Sequence, residues 1–146
     1  MSRPAPVLAM LLAASLAAFG ADEGKLEVRR AAEAVGQALL AKQAGGLRKV
    51  LPDTGKVELS LTRLGPEDGA FGPPQVEALF RDFLGTGSVR SFEIDHVEGA
   101  CKAHGVVHAR ATVVDRQGSP ARVGIHLAFQ LEGGRWVLRG IRETAE

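Results

Sequence analysis

The sequence predicts an α+β domain in which N-terminal helices pack on a curved, mainly antiparallel sheet of four to five strands. Two observations carry this. Apolar residues recur at helical spacing in the first part of the chain and at strand spacing in the last, with glycine- and proline-rich turns between the segments. Helices followed by a long strand meander is the order of a sheet covered on one face, not of alternating parallel units.

The 146 residues fit one domain behind a leader. Arg3 and the amino terminus form a short basic region, and Val7 to Phe19 is an uncharged apolar run with no polar face, too short to span a bilayer. Ala18 and Gly20 place small residues where a signal peptidase reads them. The expectation is therefore a signal peptide over 1–20, cleavage after Gly20, an exported (periplasmic or secreted) product and one domain over 21–146. No cysteine follows the apolar run to accept a lipid, so no stable membrane insertion is expected after cleavage.

Leu26, Val28, Ala31, Ala32, Val35, Ala38 and Leu39 share a helix face, and Gln43 to Gly46 interrupts it. Leu47, Val50 and Leu51 suggest a short helical turn that Pro52 ends. "KVELSLTRL" alternates as a half-buried strand, and "GPEDGAFGPP", residues 65–74, reads as a loop. Pro73 and Pro74 then open a helix in which Val76, Leu79, Phe80 and Phe83 point inward and Glu77, Arg81 and Asp82 outward. "GTGS" ends it, with glycine expected in a left-handed cap. Strands follow at 91–98, 105–115, 121–131 and 135–143. Val123, Ile125, Leu127, Phe129 and Leu131 take one face of the third of these. Val106 and Val114, with Val137 and Ile141, put apolar residues on the other face of the sheet as well, which predicts a second subunit covering it.

Eighteen basic residues stand against seventeen acidic ones, interleaved without runs of one sign, so electrostatic capture of nucleic acid is not indicated. Cys101 is the only cysteine, which excludes an intramolecular disulfide.

The order helix, short helix, strand, helix and long strands resembles the cystatin-like cone, the superfamily named for nuclear transport factor 2. More narrowly, "FGPPQVEALFRDFLGTGSVRSFEIDHVEG" and "ARVGIHLAFQLEGGRWVLRGIRET" resemble a family of exported bacterial domains with this fold and no assigned role. The resemblance implies a fold whose cone mouth can hold a small ligand and whose members often pair through the sheet. Because that fold hosts isomerases, dehydratases, adaptors and binding modules alike, function must come from the site.

Isomerases of such a cone use a carboxylate base with a tyrosine or protonated acid, and this chain has no tyrosine. Glu58, Glu93 and Asp95 alternate opposite to Val57, Leu59, Phe92 and Ile94 and are expected outside, as partners of Arg110 and Arg122. His96 shares parity with Phe92 and Ile94, which places it near the cone mouth as a possible base, or as a strand-end histidine without an orienting partner. Cys101, His104 and His108 have a metal-like spacing, but one thiol at a turn is a poor structural zinc set, and no metal or other cofactor is expected. No orienting third residue makes Cys101 a nucleophile, and "GTGS" lacks the lysine of a phosphate loop. The reading is a non-catalytic domain that binds a small apolar ligand or an envelope protein and forms a homodimer through its sheet. Its pocket is sought among Phe71, Phe83, His96 and Trp136. The alternatives are a lyase or isomerase working through His96, and an adaptor that binds an acidic partner through His108, Arg110, Arg122 and His126.

Overall fold

A computed structural model describes residues 5–65, 67–100 and 102–145, with side chains from Glu23 onward; the signal-peptide reading of residues 1–20 and the chemistry of Cys101 lie outside the described side chains. Helix α1 (Ala5–Leu40) is followed by a 3-10 helix (Ala44–Lys49), strands β1 (Val57–Ser60) and β2 (Asp68–Phe71), helix α2 (Pro73–Thr86), and strands β3 (Ser88–Gly99), β4 (His104–Val114), β5 (Pro120–Glu132) and β6 (Arg135–Ala145). No helix of the described residues is long and apolar enough to cross a membrane.

The six strands form one sheet in the order β2-β1-β6-β5-β4-β3, antiparallel except where β1 runs parallel to β6. The expected four to five strands become six because part of the glycine-rich segment 65–74 is not a loop. Asp68–Phe71 pairs with β1, Phe71 opposite Val57, in spite of a composition that argues against a strand.

Helices α1 and α2 and the 3-10 turn lie on one face and bury it. From α1 come Val28, Ala32, Val35, Ala38 and Leu39, from α2 Val76, Phe80, Phe83 and Leu84, and they meet Val107, Ala111, Ile125, Leu127, Phe129 and Leu138 of the sheet. Leu26 is exposed at 48 %, so the buried stripe of α1 begins at Val28, two residues later than its spacing suggests. Gln75 Oε1 accepts the Gly72 N–H at 3.0 Å, which satisfies one of the donors left over at the start of α2. At its other end Gly87 has φ −114°, not the left-handed cap expected. Glycine is required there by closeness instead: a Cβ would lie 2.7 Å from the Phe83 ring and 2.8 Å from the Val114 carbonyl oxygen.

Three irregularities set which side chains share a face. Register shifts fall between Val89 and Ser91, between Ile94 and His96, and opposite the Ala128–Phe129 step of β5. Each leaves one residue, Arg90, Asp95 or Arg139, without a direct partner, and so moves everything beyond it to the other parity. Ile141 therefore joins Trp136 and Leu138 on the helix side, buried at 3 %, and does not add to an apolar outer face.

Candidate functional site

Phe71, Phe83, His96 and Trp136 do not converge. Phe83 is a core residue of α2, 2 % exposed. Phe71 is half-buried on β2, at the far edge of the sheet from β3. Trp136 lies on the helix side, where its indole N–H donates to Glu27 Oε2 at 3.2 Å and the ring borders a cleft with Arg30, Ala31, Lys49 and Val50. His96 is on the opposite side of the sheet from both Phe83 and Trp136. The bulge at Asp95 breaks the parity it shares with Phe92 and Ile94, so that Val97 continues the inner face and His96 stands opposite His108 on the outer one.

The carboxylates fall where alternation places them. Glu58, Glu93 and Asp95 are exposed, and Asp95 Oδ1 accepts two hydrogen bonds from Arg110, at 2.9 and 3.1 Å. The exception is Glu77, expected outside and 9 % exposed. Arg48 Nη2 donates to its Oε2 at 3.1 Å while Nε lies 2.6 Å from Oε1, and Arg81 adds a contact at 3.5 Å. The Arg48 hydrogen bond holds the Glu77 carboxyl below the usual range, against the opposing effect of burial. A carboxylate clamped in this way is a poor proton acceptor. Buried hydrocarbon packs between helices and sheet, with Phe80, Phe83, Leu47, Leu59, Ile125, Leu127 and Leu138 among its largest parts.

The outer face carries what sequence alternation alone misses. Register places His96 on β3, His108 on β4, His126 on β5 and Arg142 on β6 side by side, followed by Ser60 on β1. The His96 and His108 rings stack with centroids 4.3 Å apart and planes at 9°, and His126 meets His108 edge-on at 4.2 Å. Beside them, Glu98 places Oε1 3.1 Å from His96 Nε2 and Oε2 3.3 Å from His108 Nε2. The hydrogen bond to His96, then the close approach of His108, lowers the Glu98 carboxyl from its ordinary value. Burial first, then the neighbouring His108 and Arg142, lowers His126 and favours its neutral ring. Next to this row a groove of about 340 Å³ is floored by Val106, His126, Ala128 and Gly140 and rimmed by Glu58, Asp68 and Arg142.

His96 with Glu98 is a base with an orienting carboxylate, but the His96 side chain is 54 % exposed on an open strand, where water surrounds it. His104 does not join the group. It lies on the same strand as His108, four residues or about 13 Å away. The signal for the rearranged face was present as spacing: Phe92, Ile94 and Val97, like Trp136, Leu138 and Ile141, run two apart and then three, the step a bulge inserts.

Neither a family model nor a curated protein matches the chain. Solved structures do. A DUF4783 family protein from Bacteroides uniformis superposes with a TM-score of 0.63 at 20 % identity, over 78 % of this chain and 95 % of its own. A protein of the NTF2-like family from Streptomyces avermitilis gives 0.65 at 14 % identity, over 86 % and 97 %. An LEH-like epoxide hydrolase of M. tuberculosis gives 0.61 at 16 %, covering 84 % of each chain. At these identities the likeness is one of fold, the nuclear transport factor 2-like cone that the sequence resembles.

Proposed function

We propose that this is an exported, non-catalytic interaction module that pairs with a second copy of itself through the outer face of its sheet. The observation that carries the reading is the floor of the outer groove. Val106, His126 and Ala128 are all half-buried in a single chain, and Gly140 among them keeps the surface low enough for another sheet to approach. Charge supports a two-fold contact. Glu58 and Asp68 give the groove an acidic rim and Arg142 supplies the basic one, so that each rim of one copy faces the opposite sign on the other. The helix side supports the non-catalytic part, because its buried acid is neutralised by Arg48 and the other side chains buried there are hydrocarbon. Export rests on the apolar run of residues 7–19 and the small residues before Ala21. A small apolar ligand in the cone mouth has less support, since Phe83 and Trp136 are committed to packing.

Sedimentation equilibrium tests the pairing. The wild type is expected to behave as a dimer, and Val106→Arg and Ala128→Arg each as a monomer with an unchanged far-ultraviolet spectrum. A wild type that stays monomeric at its highest soluble concentration, or variants that still dimerise, would reject the reading.

A further inference from the structure

We infer that His96, His108 and Glu98 form a binding site for a borderline transition-metal ion of the zinc class on the outer face of the sheet. The site is complete within one chain and does not depend on the pairing proposed above.

The donor set comes first. Two imidazole nitrogens and one carboxylate oxygen are the ligands that zinc, copper(II) and nickel(II) take in preference to magnesium or calcium, which want oxygen alone. The ligating atoms of the three residues all lie within 4.8 Å of one another. Ligands about 2.0–2.1 Å from a tetrahedral zinc are separated from each other by roughly 3.4 Å. Each ring nitrogen is already near that spacing from one Glu98 oxygen, His96 Nε2 at 3.1 Å from Oε1 and His108 Nε2 at 3.3 Å from Oε2, so the carboxylate reaches both rings.

The second observation is His108 Nε2. It is shielded from solvent and makes no aligned hydrogen bond, although Glu98 Oε2 is 3.3 Å away. A buried nitrogen without a well-directed partner costs stability unless something else satisfies it. A cation between that nitrogen and Glu98 satisfies both. His126, packed edge-on against the far side of the His108 ring, limits the orientations open to that ring.

Geometry also says what must move. The His96 and His108 planes are nearly parallel, at 9°, so their in-plane lone pairs do not meet at one point. One ring must tilt. His96 is the one able to do so, being 54 % exposed and next to the Asp95 bulge, whereas the His108 side chain is 22 % exposed and flanked by rings on both sides. The bulge is thus part of the site twice over: it brings His96 to the outer face and leaves its ring room to turn. Three protein ligands leave a fourth position for water or an incoming donor.

The test uses the untagged chain, metal-free and titrated with zinc by calorimetry, alongside His96→Ala, Glu98→Gln and His104→Ala. One zinc per chain is expected, weakened at least tenfold by each of the first two substitutions and unchanged by the third. Because His96 and Glu98 are exposed, neither variant threatens the fold; unchanged melting of the metal-free proteins checks this. Cobalt(II) should give the visible spectrum of a nitrogen and oxygen site without a thiolate charge-transfer band. Absence of saturable binding, binding indifferent to His96→Ala and Glu98→Gln, or a thiolate band that places the ion on Cys101 would overturn the assignment.

Discussion

A single residue out of parity decides what the outer face can do. Asp95 occupies the bulge, so His96 lands beside His108 and His126. The consequence for stability follows from the direction in which each group is shifted. His126 is lowered, chiefly by burial, so the unfolded chain takes up its proton at a higher pH than the folded one. Stability from this group is complete above the ordinary histidine pKa of 6.5 and is lost as pH falls below it. Glu77, Glu98 and Glu132 are lowered carboxyls, so their contribution is complete above about pH 4.5 and is lost on further acidification. The melting temperature should therefore fall with acid in two separate stages. His126→Gln should flatten the upper stage and leave the lower intact; Glu132→Gln, which loses the paired 2.6 Å contacts from Arg139, should act only on the lower. A single decline beginning below pH 4.5 would show that His126 carries no such shift. None of this was legible from His96 alone, because a polar residue fits either parity and only the wider step from Ile94 to Val97 marks the slip.

Among the elements, helix α2 was the most legible and shows why. Two prolines fix its start, Gln75 caps it, and Phe80 and Phe83 recur at core spacing, so local and tertiary signals agree. What spacing could not reveal is that Glu77 is held close to the surface of the core by Arg48, a residue 29 positions away with no local cue. Strand β2 was illegible for the opposite reason. "DGAF" has little intrinsic strand preference, and it is a strand because β1 supplies a ladder for it. These cases separate packing residues from site residues and give a test at this scale. Phe83→Ala removes a side chain that is 2 % exposed and should cost about 3–5 kcal/mol, the usual loss for emptying an aromatic from a close-packed core. Urea unfolding would show this as a lower midpoint, while Asp82→Ala on the exposed face gives up only a surface ion pair with Arg116 and should move the midpoint little. Equal small effects from both substitutions would mean that α2 is loosely docked and that the cone has room for a ligand after all.

At the scale of the molecule, the question is where the folded unit begins. Helix α1 runs from Ala5 to Leu40, yet its described packing starts at Gly24, where a Cβ would lie 2.7 Å from the Ala100 carbonyl oxygen, and continues through Glu27, which accepts from Trp136, and Val28 to Leu39. Those seventeen residues, 24–40, span about 26 Å at 1.5 Å per residue, enough to lie across several strands of the sheet. If residues 1–20 act as a removable leader, their loss should leave the cone as stable as before. A chain shortened to residues 21–146 is expected to keep the circular dichroism spectrum and melting temperature of the longer one. Starting at residue 31 instead deletes the Glu27–Trp136 hydrogen bond and the fully buried Val28, and should lower the melting temperature by several degrees. Mass spectrometry of the protein recovered from an exporting host supplies the matching observation, a mature amino terminus at Ala21. If the 21–146 chain melts well below the full-length chain, the apolar run is an integral part of the fold, and the leader reading, with export, is wrong.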